Sequence, residues 1–86
     1  MNASETKFPT PWAVKVFGRA QPGFPERVLA IVQRHAPEVA AGALTTRPSR
    51  QGGYVAVTIQ FQAKSRAQLE AIYRDLDADE TVSYLL

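Results

Sequence analysis

The segment "RPSRQGG", residues 47 to 53, sets two guanidinium groups, Arg47 and Arg50, beside a pair of glycines. Guanidinium forks and convergent backbone amides are devices for holding a phosphate or carboxylate. Lys15, Phe17 and Arg19 alternate with apolar residues near the start of the chain, and Tyr54 and Thr58 alternate in the same way further on. Cations interleaved with flat rings can meet phosphates and stack bases, which is the chemistry of single-stranded RNA binding.

Catalytic chemistry is poorly represented. The chain lacks the glycine-rich phosphate loops, the G-x-S-x-G nucleophile turn and the H-E-x-x-H zinc motif. Its one histidine, His35, stands before Ala36-Pro37 and reads as a capping or packing residue. "DLDADE" spaces Asp75, Asp77 and Asp79 like the opening of a calcium loop. It lacks the loop's glycine and its closing glutamate, so it reads as a solvated turn that could pair with the basic tip. With no cysteine there is no disulfide framework or thiolate metal site. No enzyme activity, cofactor or metal is expected.

The elements that must position these groups follow from periodicity. Residues 1–7 are polar and read as a flexible tail, leaving 8–86 as one small domain. Trp12, Val14 and Val16 alternate with Ala13, Lys15, Phe17 and Arg19, which predicts a strand ending at Gly18 or Arg19. Pro9 should keep the approach extended, and Pro11 should open the strand. A helix is expected from Pro25 to Ala36, stopped by Pro37, and a weak edge strand from Gly42 to Pro48. Tyr54 to Ala63 alternates most clearly, with Val55, Val57, Ile59, Phe61 and Ala63 on one face. Ser65 and Gln68 form a capping box opening a second helix, and "TVSYLL" is the last strand.

The order β-α-β-β-α-β predicts a ferredoxin-like α+β sandwich, a four-stranded antiparallel sheet with both helices on one face. The first and third strands are then central, and the other face is open. It would display Lys15, Phe17, Arg19, Tyr54, Thr58, Gln60 and Gln62, with Ala13 and Ala56 as gaps; the first five, with Arg47 and Arg50 of the hairpin tip, make a candidate binding surface. Ten extended residues span about 33 Å against about 18 Å for a twelve-residue helix, so the third strand should outrun its helical cover unless it bends. RNA recognition motifs use this face, but Ala56 stands where they place a second exposed ring. The last strand carries none of the lysines or prolines that protect an edge, which makes Val82, Ser83, Tyr84 and Leu85 a candidate association edge. A homodimer or a strand-adding protein partner fits that edge.

Charge is segregated. Residues 1–66 hold nine Lys/Arg against three acids, and 67–86 hold one Arg against five acids, or +6 beside −4. The basic part favours anionic partners, whereas the acidic end argues against a surface that coats nucleic acid uniformly. The longest apolar run, Val28 to Val32, falls far short of a membrane span, so a soluble cytoplasmic protein is expected without membrane contact.

Five segments in order, "FPTPWAVKVFG", "RHAP", "PSRQGGYVAVTIQF", "QLEAIYRDL" and "VSYLL", resemble the YbeD-like family of small bacterial proteins of unknown function. The resemblance covers the chain after residue 7. It implies a ferredoxin-like fold similar to the regulatory ACT domains, which bind small effectors such as amino acids. It implies no catalytic residues. Arg50-Gln51 replaces a Ser-Lys-like tip, and Trp12 stands where phenylalanine is common. The functional expectation is a non-enzymatic regulatory or adaptor domain that acts by protein association, with a small effector as a further ligand. The alternative is single-stranded RNA binding through the open face and basic tip.

Overall fold

A computed structural model describes residues 6–86; most of the expected tail, residues 1–5, lies outside the described residues. The elements are β1 (Thr10–Arg19), α1 (Phe24–Gln33), a 3-10 turn (Ala41–Ala43), β2 (Leu44–Pro48), β3 (Tyr54–Ala63), α2 (Arg66–Asp77) and β4 (Val82–Leu85). The strands form one antiparallel sheet in the order β2-β3-β1-β4, with β1 and β3 central as the sequence predicts. The ladder between β1 and β3 runs unbroken from Thr10↔Ala63 to Arg19↔Tyr54.

Alternation along the central strands decides the core. Val14, Val16, Val57 and Ile59 are fully buried on one face, against Phe24, Val28, Ile31 and Val32 of α1 and Ile72 and Leu76 of α2. Removing these side chains from water is the main force holding the helices on that face. β1 pairs with β4 only from Lys15 to Gly18, and β2 covers β3 only from Val55 to Ile59. The remainder is a two-stranded ribbon that outruns its neighbours. There Trp12 and Phe61 form a half-buried cross-strand pair, and Trp12 Nε1 donates to the Tyr73 hydroxyl at 3.1 Å. Trp12 therefore anchors against α2.

Pro11 is tolerated in a central strand for a directional reason. Lys15 and Leu86 exchange both backbone hydrogen bonds, so Lys15 directs its polar groups toward β4. Pro11, four residues earlier, has the same parity, and β4 does not extend that far. The Phe8–Pro9 peptide is cis, and the chain bends at these residues instead of entering extended.

α1 is displaced from its expected limits. It starts at Phe24, with Gly23 at φ 83° as its cap, and ends at Gln33, three residues short of Ala36. The Arg34 amide is shared between the Ala30 and Ile31 carbonyls, and the His35 amide bonds to Val32 three residues back. The last turn has tightened before Pro37 can act. At α2, Ser65 Oγ accepts from the Gln68 amide at 3.0 Å, while Gln68 Oε1 takes the Lys64 amide one residue before the expected cap position. Gln68 Nε2 also donates to the His35 carbonyl, joining the end of α1 to the start of α2.

Gly18 is a steric requirement. A Cβ there would lie 2.4 Å from the Phe24 ring and 2.6 Å from the Thr81 carbonyl oxygen. At this point the β1–β4 register slips: Phe17 faces Tyr84 but Gly18 faces Val82, leaving Ser83 as the extra residue of a bulge.

Asp79 and Asp75 tie the helical layer through basic partners, Arg27 for the first and Arg34 and His35 for the second. Arg27 Nε donates to Asp79 Oδ2 at 2.9 Å, so this carboxylate of the acidic turn serves α1, not the basic tip. Both groups lie at the same end because α1 begins where α2 finishes. His35 Nε2 donates to Asp75 Oδ2 at 2.6 Å. The His35 hydrogen bond lowers the pKa of the Asp75 carboxyl against an opposing effect of burial, helped by the charges of His35, Arg34 and Arg74. For Asp79 burial pushes upward, but hydrogen bonds from the Thr81 hydroxyl and amide and from Arg27 outweigh it and lower the pKa.

Gly18→Ala is expected to destabilise by about 1–3 kcal/mol through overpacking, measured by urea unfolding. Gly42→Ala, whose added Cβ meets nothing within 4 Å, should be nearly neutral. A lowered folded-state pKa contributes stability that is present above the unfolded value of ~3.9 and lost as pH falls through the folded value. Asp75→Asn should therefore flatten the fall in Tm below pH ~4 in a thermal melt series; an unchanged acid limb would contradict the assignment.

Candidate functional site

The open face is organised by strand register into rows that cross the sheet. In the upper row Arg19 faces Tyr54, with the guanidinium carbon 6.0 Å from the ring centroid. In the middle row Tyr84, Phe17, Ala56 and Arg47 follow one another across β4, β1, β3 and β2. In the lower row Leu86 pairs with Lys15, which faces Thr58, which faces Thr45. Lys15, Phe17, Arg19, Arg47, Tyr54 and Thr58 thus share one face, as their alternation requires. Arg50 stands apart at the hairpin tip, exposed.

Tyr84 belongs to this face as well as to the edge. Its ring stacks on Phe17 with centroids 4.5 Å apart and planes 8° from parallel. Such a pair contributes about 0.5–1.5 kcal/mol beyond its buried area. The inner surfaces of both rings are occupied by each other.

The last strand divides its four named residues between two environments. Val82 and Leu85 are half-buried and packed on the core, whereas Ser83 and Tyr84 are exposed. Strict alternation would place Val82 and Leu85 on opposite faces; the bulge at Ser83 puts both inward and sends Tyr84 and Leu86 outward. Because Leu86 and, two residues earlier, Tyr84 direct their backbone groups to β1, Leu85 directs its N–H and C=O to the free edge.

The hairpin tip is internally bonded. Ser49 Oγ accepts from the Tyr54 amide at 3.1 Å, the Ser49 amide donates to the Tyr54 carbonyl at 2.8 Å, and the Gly52 amide donates to the Ser49 carbonyl. Gly52, at φ 77°, makes the left-handed step of this turn. Its amide is therefore committed inside the hairpin, so any anion held here depends chiefly on side chains.

Residues that alternation alone does not mark as members of the face are Arg47, Thr45, Tyr84 and Leu86, whereas Ala56 holds the place that alternation gives it. Arg47 reads as part of the hairpin tip and Thr45 as a residue of a weak strand; the parity of Tyr84 and Leu86 depends on a bulge with no local sequence signal. Among the described residues, no cluster of three His, Asp or Glu side chains could hold a metal ion. No described helix is long and apolar enough to cross a membrane.

Similar proteins bear out the resemblance and the fold. A UPF0250 protein of Neisseria gonorrhoeae is 40% identical over 84 residues, covering 98% of this chain and 92% of the relative. Among solved structures, the ACT domain of GTP pyrophosphokinase from Chlorobium tepidum matches with a TM-score of 0.67 at 9% identity, over 90% of this chain and 83% of that one. The C-terminal domain of the MgtC protein from Mycobacterium tuberculosis matches with a TM-score of 0.69 at 19% identity, over 95% and 88%. At such identities these two likenesses concern the fold alone. A family model matches residues 3–86, and the chain belongs to that family, the proteins of unknown function designated DUF493.

Proposed function

We propose that the protein is a non-enzymatic domain that works by protein association, with the β4 margin as its docking strip and a second copy of the chain as the occupant. The observation that carries this reading is the exposure of Tyr84 at 56% and Leu86 at 65%, side by side on an edge strand. Adjacent large apolar groups of this kind are favourable to cover. The strand beside them offers the outward N–H and C=O of Leu85 to another strand, and strand addition supplies main-chain hydrogen bonds.

Charge favours a second copy. Residues 81 to 86 carry no lysine, arginine, aspartate or glutamate, so no like-charged side chains of these types oppose one another where two copies meet along the strip. A twofold axis would place each Tyr84 against the same strip of its partner, the self-complementary arrangement of a symmetric dimer. The fold shared with an ACT domain of GTP pyrophosphokinase is compatible with a regulatory role for such an assembly.

Light scattering across a concentration series should report a dimer for the wild type and a folded monomer for Tyr84→Lys, with circular dichroism confirming the fold. The bulge already shortens the pairing edge, so association in the micromolar range is sufficient, about −8 kcal/mol. A wild type that stays monomeric at the highest attainable concentration sinks self-association.

A further inference from the structure

The open face between β1 and β2 has a different chemistry from the β4 margin. Two hollows adjoin there. One, of about 220 Å³, lies over Ala56 and is walled by Phe17, Tyr54, Pro48 and Val55. The other, of about 460 Å³, lies one row lower, where Lys15, Thr45, Thr58 and Arg47 surround it. Phe17, Arg47 and Ala56 border both, so the hollows are two compartments of one groove.

The register explains the groove. Ala56 sits between Phe17 and Arg47 in the middle row, and its methyl group leaves the gap that a larger residue would fill. Same-face residues along a strand are about 7 Å apart, so a ring held over Ala56 lies about 7 Å from an anion held in the row of Lys15, Thr58 and Thr45. The apolar compartment suits a flat ring, with Phe17 and Tyr54 as its walls. Two cations and two hydroxyls around the lower compartment exceed what a carboxylate requires and suit the greater charge and additional oxygen of a phosphate monoester.

Electrostatics leave these cations free for an external anion. Among the described residues, the carboxylates that form ion pairs do so with Arg27, Arg34, His35 and Lys64, and none lies within 4.0 Å of the Lys15, Arg19 or Arg47 charge. The same face limits ligand length. Below Lys15 and Thr58, Ala13, Gln60 and Gln62 provide neither a ring nor a cation, and Phe17 and Tyr84 are closed against each other.

We infer that the open face from β1 across β3 to β2 is a binding site for a nucleoside monophosphate, with the base over Ala56 between Phe17 and Tyr54 and the phosphate against Lys15, Arg47, Thr45 and Thr58. The site goes beyond association at the β4 margin, and neither requires the other.

Calorimetric titration of the full chain with adenosine 5′-monophosphate tests the assignment, with adenosine and inorganic phosphate as the two halves of the probe. The monophosphate should bind at one site, and each half should bind about tenfold more weakly or worse. Lys15→Ala should weaken the monophosphate about tenfold while leaving adenosine unchanged. Tyr54→Ala should weaken the monophosphate and adenosine but not inorganic phosphate, because Tyr54 borders the ring compartment and not the lower one. Circular dichroism and Tm establish that both variants remain folded. No binding of the monophosphate at millimolar concentration, inorganic phosphate binding as tightly as the monophosphate, or indifference to both substitutions overturns the site. A hexaadenylate that binds far more tightly than six independent monophosphates would make an RNA strand the ligand and overturn the mononucleotide assignment. Leu86→Ser, which thins the association strip at a residue bordering neither compartment, should retain monophosphate binding whether or not the wild type dimerises, which separates this site from the association strip.

Discussion

The close approach at Gly18 sets the character of the molecule's exposed surface. Only a hydrogen at this position lets the Thr81 carbonyl and the Phe24 ring come as near to β1 as they do. That approach brings the α2–β4 turn against the strand and the first residue of α1 beneath it. The register slip that follows, with Ser83 as the extra residue, lets Val82 and Leu85 both reach the core. Two apolar anchors hold a strand of only four residues in place. Without the slip, one of them would be turned to solvent and β4 would have half its hydrophobic attachment.

The same slip gives the open face its division of labour. Tyr84 and Leu86 emerge beside Phe17 and Lys15 and create an apolar margin, while the cations stand inward of it, Lys15 and Arg19 on β1 and Arg47 on β2. The face is therefore not a uniform half-polar surface. Its apolar side is continuous with a strand edge that can pair, and its cationic side contains the gap at Ala56. Stacking between Phe17 and Tyr84 links the two halves physically, because β4 carries one ring and β1 the other. The basic tip is independent of the acidic turn, whose Asp79 is already bonded to Arg27 and Thr81.

Sequence pattern revealed the parts of this arrangement that depend on local alternation. β3 occupies Tyr54–Ala63 as its period-two pattern requires, and the face bearing Lys15, Phe17 and Arg19 is the one exposed beside Tyr54. Ser65 caps α2 for the reason its spacing from Gln68 suggests. Alternation fails where a long-range contact sets the geometry. The bulge in β4 arises from packing against Gly18, more than sixty residues away, so "TVSYLL" contains no sign of it. The early end of α1 reflects a tightened last turn and the hydrogen bond from Gln33 Nε2 to the Val39 carbonyl, which a proline rule at Pro37 does not anticipate.

Alanine at position 56 illustrates why a missing feature can be more informative than a present one. A second aromatic there would have extended a stacking platform along β3, but it would also have closed the space between Phe17 and Arg47. The cost of alanine in a strand is modest, because a small side chain on the solvent face gives up cross-strand packing without opening a core cavity. Core positions cannot make that exchange: truncating Val57 or Ile59, one residue or three along the same strand, would leave a void between sheet and helices. A sheet with one covered face and one open face thus confines strict packing to one side of each strand. The other side is free to hold gaps, cations and rings in whatever spacing a ligand demands, and the fixed register of β1 with β3 keeps that spacing rigid.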